Sequence, residues 1–246
     1  MPESLHLSVI VPVKNEEENV LPMLEEIQKV SSTWPWNWEL IYVDDGSSDR
    51  TWEVIREARA RDSRVRAVRF LFNCGQTSAV SAGVRHARGK ICVTLDGDCQ
   101  NDPGDIEGMV RAMGDSGNKI DMVMGWRRKR SDTLWRKIQS RIANGVRNRL
   151  TGETVHDVGC AIKAFDREKM LKVSLFEGMH RFLPTLFRYH GWKVIESEVN
   201  HRSRTRGTTK YGMWNRVFRA LRDLFAVRWM KDRLIRYQLK DEDTID

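Results

Sequence analysis

Residues 93–100 read Val93-Thr94-Leu95-Asp96-Gly97-Asp98-Cys99-Gln100, an apolar run typical of a buried strand that ends in two aspartates separated by one small residue. In an extended chain, Asp96 and Asp98 lie on the same side, about two strand rises apart. Two carboxylates and the amide oxygen of Gln100 suit a hard cation such as Mg²⁺ or Mn²⁺ rather than zinc. The same residues also fit an Asp-Gly turn with solvated carboxylates, so this stretch alone leaves both interpretations open.

Several other parts of the chain repeat this scheme of an apolar strand followed by a polar turn and a helix. β-Branched runs predict strands at Leu7–Val13 and at residues 40–44, 65–71 and 121–125. Amphipathic or small-residue patterns predict helices over residues 17–30, from residue 49 onward, and over residues 77–87. This alternation predicts an α/β, Rossmann-like fold with a mostly parallel sheet and helices on both faces.

Polar clusters follow each of the first five predicted strands. Ligands of such sheets bind at the carboxyl ends of strands, so five polar strand ends in sequence predict one shared cleft. The residues are Asn15 and Glu16, Asp44 and Asp45, Asn73 and Gly75, Asp96 and Asp98, and Arg127.

The motifs of two common nucleotide-binding classes are missing from the sequence. No Gly-X-Gly-X-X-Gly follows the first strand, and no Gly-X-X-X-X-Gly-Lys-Ser/Thr occurs, which argues against a hydride-transfer enzyme and a P-loop protein. The first strand instead runs into Pro12-Val13-Lys14-Asn15-Glu16. Side chains there can bind a base and ribose while a metal at Asp96 and Asp98 holds a diphosphate. This arrangement fits a nucleotide-sugar.

The second half of the chain has a different pattern. It predicts a basic amphipathic helix over residues 132–150, a short strand at 161–165, a small helix from residue 166, a helical segment from 177 to about 191, and a strand over 192–200. We expect one large domain over residues 1–212, followed by an amphipathic, basic segment and an acidic tail over residues 213–246.

The composition is that of a globular protein. Of the 246 residues, 40% are hydrophobic, and no apolar run approaches the roughly 18 residues that suggest a membrane span. The N-terminus lacks a signal-peptide pattern, so we expect a cytoplasmic protein. The four cysteines form no Cys-X-X-Cys pair, which predicts reduced thiols and no zinc site.

The net charge of +8 is concentrated near the C-terminus. Residues 1–200 carry 30 basic and 28 acidic side chains, whereas residues 201–240 carry 12 basic and 2 acidic ones. A phosphate-bearing substrate, an anionic membrane surface and a nucleic acid are the candidate partners. Nothing resembles a nucleic-acid-binding module, which favours the first two.

The basic segment has two parts, and each has a plain alternative. Residues 201–211 are rich in cations, hydroxyls and glycine, which suits phosphate oxygens but also a solvated loop. From residue 213 to 237, apolar side chains recur at helical spacing with arginines beside them. That pattern fits a helix in a membrane interface and, equally, a helix that covers the sheet.

Four motifs together resemble family 2 glycosyltransferases, over residues 7–236. They are the stretches at residues 9–16 (Val-Ile-Val-Pro-Val-Lys-Asn-Glu), 43–49 (Val-Asp-Asp-Gly-Ser-Ser-Asp), 95–103 (Leu-Asp-Gly-Asp-Cys-Gln-Asn-Asp-Pro) and 206–211 (Arg-Gly-Thr-Thr-Lys-Tyr). The last is most similar to the polyprenyl-phosphate branch, which includes dolichol-phosphate mannose synthases and undecaprenyl-phosphate sugar transferases.

The resemblance implies a GT-A fold, a nucleotide-sugar donor, a divalent cation (Mg²⁺ or Mn²⁺), a polyprenyl phosphate acceptor and inversion at the sugar carbon. It also implies that the protein works at the cytoplasmic face of the membrane, docked peripherally or through a separate membrane protein. Gly97 replaces an alanine common in relatives, a change expected to leave the metal geometry intact. The implied residues are Pro12, Val13, Asn15, Glu16, Asp44, Asp45 and Asp96 for the nucleotide-sugar, Asp96, Asp98 and Gln100 for the metal, Arg127, Arg206 and Lys210 for phosphates, and Asp98 and Asp157 for catalysis.

The acceptor chemistry limits what Asp157 has to do. A phosphate monoester has its second pKa near 6, so the attacking oxygen is already ionised at neutral pH. We therefore expect Asp157 to orient a substrate rather than to remove a proton; a structural role, capping the turn before Gly159, is the alternative. Two other functions stay open: transfer to a glycan hydroxyl, which needs a general base, and non-enzymatic binding to a membrane or polyanion.

Overall fold

The computed structural model describes residues 6–114, 119–128, 155–202 and 214–235, with the single positions 145, 148, 149 and 152; side chains of the last range are described from residue 222. These residues form one seven-stranded sheet flanked by helices. The strands are β1 (Leu7–Val13), β2 (Trp38–Asp44), β3 (Val65–Arg69), β4 (Ile91–Thr94), β5 (Met122–Trp126), β6 (Lys163–Asp166) and β7 (Val194–Glu198). The helices are α1 (Val20–Ser31), α2 (Thr51–Arg61), α3 (Gln76–His86), α4 (Asp105–Gly114), α5 (Arg167–Lys172), α6 (Leu183–Tyr189) and α7 (Trp214–Arg233), with a 3₁₀ turn at Met179–Arg181.

The strand order in the sheet is β3-β2-β1-β4-β6-β5-β7. β6 pairs antiparallel with β4 and with β5, and the other neighbouring strands are parallel. The expectation of a mostly parallel α/β sheet is confirmed. The chain moves outward from β1 to β3 and then returns to the other side of β1 with β4. The switch point between β1 and β4 is where open sheets of this kind bind ligands.

Two hydrophobic layers bury the sheet. One contains α1, α2 and α4, and the other contains α3, α5, α6 and α7. β1 is apolar on both sides because it lies between these layers. Val9 and Val11 face the first layer, and Ile10 faces the second. Burial on both faces rigidly fixes the strand ends, from which the polar turns emerge.

Most predicted elements are present with shifts of a few residues at their ends. The third strand ends at Arg69, and Leu71 and Phe72 beyond it are 95% and 66% exposed. Of the helix predicted over residues 132–150, only positions 145, 148 and 149 are described, and they are helical. The loop that contains Arg206 and Lys210, and the acidic tail, lie outside the described residues.

Helix α7 packs one face against the second layer. Leu224 and Val227 are buried there, whereas Phe225 and Trp229 are 61% and 62% exposed. Among the side chains described from residue 222 onward, the apolar residues are therefore divided between the protein core and the surface. No helix in the described part of the chain has the length and hydropathy that a bilayer crossing requires. The domain boundary after residue 212 and the membrane-interface role of this segment stay predictions.

Candidate active site

The carboxyl ends of β1 and β2 lie side by side, because Val13 pairs with Asp44 in the parallel register. The turns that follow are joined by their own polar groups. The backbone N–H of Asn15 donates to Ser47 Oγ at 2.9 Å, and the N–H of Ser48 donates to Asn15 Oδ1 at 2.8 Å. Asn15 adopts a left-handed conformation with φ of 52°, which asparagine tolerates better than most residues.

Glu16, the next predicted nucleotide-binding residue, is fixed in the same way. Its backbone N–H donates to Thr51 Oγ1 at 2.8 Å, and its carboxylate accepts from Asn19 Nδ2 at 2.6 Å. The sequence pattern Lys-Asn-Glu at the end of β1 thus builds a rigid rim of the cleft, which holds the start of α2 against the start of α1.

The two adjacent aspartates after β2 have different surroundings. Asp44 is fully buried, and its Oδ1 accepts from the N–H of Ser47 at 2.9 Å. Its Oδ2 lies 3.2 Å from Arg69 Nε on β3 but forms no hydrogen bond. Asp44 therefore retains an unsatisfied acceptor that is buried at the strand end and faces the Arg69 guanidinium.

Asp45 holds a neighbouring loop in place. Its carboxylate accepts from the backbone N–H groups of Cys74 at 2.6 Å and of Gly75 at 2.9 Å. Gly75 immediately precedes α3. Asp45 was predicted to bind the nucleotide; the structure places its oxygens on the α3 loop, so its described contacts are structural.

The acidic stretch of β4 forms a turn. The strand ends at Thr94, residues 97 and 98 form a turn, and Cys99 has a φ of 58°. The expected extended geometry through Asp96 and Asp98 is wrong, because β4 loses its neighbours before Asp96. The turn is ordered by its own side chains, since the N–H of Asp96 donates to Asn101 Oδ1 and the N–H of Gln100 donates to Asp98 Oδ1.

The carboxylates of Asp96 and Asp98 nevertheless interact electrostatically. Burial, followed by the charge of Asp98, raises the pKa of Asp96 to about 6. Such mutually repelling carboxylates are stabilised by a divalent cation, so the donor set fits Mg²⁺ or Mn²⁺. In the described residues no group of three or more His, Cys, Asp or Glu side chains is arranged to hold a metal. Substrate phosphates and water would therefore have to complete the coordination.

Arg127 and Asp157, both predicted site residues, bind one another. Nε of Arg127 lies 2.7 Å from Asp157 Oδ2, and Nη2 lies 2.9 Å from Oδ1. Both side chains are largely buried, at 14% and 5% exposure. Although burial opposes it, the hydrogen bonds and charge of Asp157 raise the pKa of Arg127.

A cavity of about 200 Å³ lies beside Asp96, on the face of the sheet that carries α3 and α6. Sequence reasoning missed three of its polar residues: Lys163 on β6, His180 in the 3₁₀ turn, and Gln76 at the start of α3. Gln76 Nε2 donates to Asp96 Oδ1 at 2.9 Å. The available signal was a single lysine within the apolar run at residues 161–165, which a buried strand does not carry without a reason.

The remaining predicted residues lie at the edges of this cleft. Pro12 lines the cavity, and Val13 contacts the turn at Gly97. The basic segment starts at the acidic turn, because the N–H of Arg202 donates to the carbonyl oxygen of Gln100 at 3.0 Å. The Arg202 guanidinium also binds Glu26 and Asp102. Arg206 and Lys210, which follow Arg202 in the chain, lie outside the described residues.

Comparison with known proteins gives one family. The model of the family described as Glycosyl transferase family 2 matches residues 8–173. Dodecaprenyl-phosphate galacturonate synthase of Rhizobium johnstonii is 40% identical over 229 residues, which are 92% of this chain and 67% of that protein. Undecaprenyl-phosphate 4-deoxy-4-formamido-L-arabinose transferase of Edwardsiella ictaluri is 38% identical over 209 residues, which are 84% of this chain and 63% of that protein. The chain thus spans about two thirds of the length of these relatives.

Solved structures share the fold. Glucosyl-3-phosphoglycerate synthase of Mycobacterium tuberculosis, in complex with Mg²⁺ and uridine diphosphate, matches with a TM-score of 0.69 and 17% identity, covering 94% of this chain and 81% of that one. Its complex with Mn²⁺, uridine diphosphate and phosphoglyceric acid matches with a TM-score of 0.67 and 17% identity, covering 92% and 78%. At this identity the likeness concerns the fold alone, and it confirms the expected GT-A architecture.

Proposed function

Because the chain belongs to glycosyl transferase family 2, we propose that it transfers a sugar, with inversion, from a nucleotide-sugar to a polyprenyl phosphate at the cytoplasmic face of a membrane. One observation carries the proposal. The acidic turn at Asp96 and Asp98 lies at the sheet's switch point, and the basic segment begins against it at Arg202. A site for a metal and diphosphate would therefore adjoin the described start of the stretch whose cations suit an acceptor phosphate. Two relatives that are named as polyprenyl-phosphate enzymes agree with this acceptor.

The donor would bind across the switch point. Asp44 at the end of β2, together with Pro12, Val13, Asn15 and Glu16 at the end of β1, would frame the base and ribose. The diphosphate would then lie over the acidic turn, where Asp96, Asp98 and Gln100 would hold a divalent cation. When bound, this ion offsets the charge that develops on the leaving diphosphate.

The acceptor needs orientation more than activation. Its phosphate oxygen attacks the anomeric carbon, the bond from that carbon to the diphosphate breaks, and no proton has to move, since the phosphate is already ionised near neutral pH. Both oxygens of Asp157 accept from Arg127, which fixes the two side chains as one unit. Asp157 would orient the reacting groups through this unit. Arg127, Arg206 and Lys210 would bind phosphate oxygens.

Membrane docking belongs to the same proposal. The exposed aromatic side chains Phe225 and Trp229 lie one turn apart on α7, and the Arg233 guanidinium stacks 5.7 Å from the Trp229 ring centroid. Aromatic rings with adjacent cations suit the interface of an anionic bilayer. Peripheral docking through this surface, or through a separate membrane protein, would bring the cleft to its lipid acceptor.

The test is transfer of radiolabelled sugar from a panel of nucleotide-sugars into butanol-extractable lipid. The assay contains detergent-solubilised undecaprenyl phosphate, with Mg²⁺, Mn²⁺ or a chelator. We expect metal-dependent label in the lipid phase, lost in Asp98→Asn and retained in Glu107→Gln, which alters a half-buried carboxylate on α4. Label in soluble glycans without a lipid product would instead favour a glycan acceptor. Salt-sensitive vesicle binding with no transfer at all would favour a binding protein.

A further inference from the structure

The cavity beside Asp96 is small and is lined by several charged side chains. We name it the β4–β6 cavity; the residues used here are Thr94, Asp96, Lys163, His180 and Arg181, all of which line it. Its volume is about 200 Å³. Pockets for drug-sized ligands measure roughly 300–1,000 Å³, so this smaller cavity suits a single sugar ring. It lies directly beside the carboxylate that the proposed function assigns to the metal and diphosphate, so a sugar attached to that diphosphate would reach it.

The strand pairing explains why Lys163 points inward. Thr94 is opposite Lys163 in the antiparallel register of β4 and β6. Side chains alternate along a strand, so Lys163 faces the same layer as Phe165, which is buried under α6. The Thr94 hydroxyl donates to the carbonyl oxygen of Ala161 at 2.8 Å, which fixes the chain at the mouth of the cavity.

Lys163 is buried with little compensation. Its residue exposure is 5%, and its ammonium donates to the carbonyl oxygen of Cys160. An ammonium has three donors, and in the described part of the chain no carboxylate forms an ion pair with it. Burial accordingly lowers the pKa of Lys163, although the charges of Asp96 and Asp157 oppose this. An anionic ligand in the cavity would favour the charged form of this buried amine, and the cavity places Lys163 where such a ligand could reach it.

The other titratable groups around the cavity add no negative charge beyond Asp96. Arg181 is paired with Asp223 of α7 at 3.0 Å. His180 is held neutral, because burial and the charges of Lys163 and Arg181 lower its pKa to about 3. Among the described residues that line the cavity, Asp96 is the one carboxylate. Once Asp96 binds the metal, the cavity has an uncompensated positive charge at Lys163.

We propose that the β4–β6 cavity receives the donor sugar and that Lys163 binds a carboxylate on it, so that the enzyme prefers nucleotide-activated uronic acids to neutral hexoses. The inference rests on the proposed function and adds the class of sugar. A uronate would replace the missing partner of the ammonium in a site of low dielectric constant. A neutral hexose would leave that ammonium buried and unpaired, and a site that loses such a partner discriminates strongly.

The test compares donors that differ only at C6. The pairs are UDP-glucuronate and UDP-glucose, UDP-galacturonate and UDP-galactose, and GDP-mannuronate and GDP-mannose. Binding is measured by calorimetry with Mn²⁺ in the full chain, and kcat/KM is measured by transfer to the lipid acceptor. We expect at least one uronate to be preferred over its neutral partner by 100-fold or more in both readouts.

Two variants locate the preference. Lys163→Met should reduce the preference for the uronate over its neutral partner, in affinity and in kcat/KM, to within about threefold. Lys163→Arg should restore part of this preference. Lys172→Met, which alters an exposed lysine of α5, should leave the ratio unchanged. A role of Lys163 in folding alone would lower the values for both members of a pair equally and would overturn the assignment.

The outcomes separate this inference from the proposed function. Transfer of neutral hexoses as efficient as that of uronates would overturn the sugar class and leave the polyprenyl-phosphate function standing. A uronate preference in binding, without transfer to any lipid, would support the inference while the acceptor proposal fails. If Lys163→Met does not fold, the wild-type binding ratio decides, and a ratio near one overturns the proposal.

Discussion

Arg127, at the end of β5, and Asp157, in the loop before β6, form a two-point ion pair with N–O distances of 2.7 and 2.9 Å. They are 30 residues apart in the chain and lie beside Cys160 and Gly159 at the edge of the cavity. A planar guanidinium that binds both carboxylate oxygens fixes the orientation of each partner. Each side chain of the pair is therefore held in a fixed orientation by the other.

This geometry predicts the behaviour of Asp157→Asn. The variant should lose 100-fold or more of its transfer activity at every pH, and raising the pH should restore none of it. It should also lose about 3 kcal/mol of stability, because it leaves a buried guanidinium without its anion. Transfer assays from pH 6 to 9 and urea unfolding measure both effects. Recovery of activity at high pH would contradict the orienting role and indicate a proton transfer.

Asp96→Asn should separate metal binding from stability. The substitution removes the repulsion with Asp98 that helps to raise the pKa of Asp96, so the metal-free protein should be as stable as the wild type or more stable. Its affinity for uridine or guanosine diphosphate with Mn²⁺ should fall by at least tenfold. Thermal unfolding with and without a chelator, and calorimetry, test this. A variant that binds nucleotide with unchanged metal dependence would contradict the assigned ligand.

The turn at Gly97 leaves little room for a side chain. A Cβ at this position would lie 2.7 Å from Val13 Cγ1 and 3.0 Å from the carbonyl oxygen of Pro12. Gly97→Ala should therefore cost about 1–3 kcal/mol of stability. Val13→Ala removes the closest atom, so the double variant should be less destabilised than the sum of the single variants. Additive losses in urea unfolding would show that the turn relaxes without using that space.

His180 should make stability depend on pH. Its pKa is about 3 in the folded protein, against about 6.5 in an unfolded chain. As the pH falls, His180 therefore takes up a proton in the unfolded state before it does so in the folded state. Its contribution to the free energy of unfolding is fully present above pH 6.5. That free energy then decreases as the pH is lowered toward 3, by at most about 1.4 kcal/mol per pH unit. His180→Gln should flatten this slope. His86→Gln, at the exposed end of α3, is the matched control and should not.

Gly46 allows the loop at residues 72–75 to approach β2. Its φ is +66°, and a Cβ would lie 2.5 Å from the backbone carbon of Phe72. Gly46→Ala should cost at least about 2 kcal/mol, from the left-handed conformation and the displaced loop. Gly108→Ala, in α4, meets nothing within 4 Å and should stabilise the protein by about 0.5–1 kcal/mol. Equal effects in urea unfolding would contradict this contrast.

Local patterns were sufficient for the framework of this protein. The apolar β-branched run of Leu7–Val13 is a strand buried on both faces, and the polar turns after β1, β2 and β4 do meet at the switch point. These predictions were correct because burial and backbone preference favour the same conformation in each segment. The mutual position of Asp96 and Asp98 was predicted less well, because the strand ends at Thr94, one residue before the end of its apolar run, and a turn follows.

The sequence by itself determined the α/β alternation, the location of the cleft at the carboxyl ends of the strands and the family to which the chain belongs. The tertiary structure alone decided that β6 runs antiparallel, that Lys163 faces the cavity, that Arg127 binds Asp157, and that Asp45 holds the α3 loop. The physical reason is the range of the interactions. Periodicity and turn chemistry act within a few residues, whereas pairing across 30 or more residues depends on which strands become neighbours in the sheet.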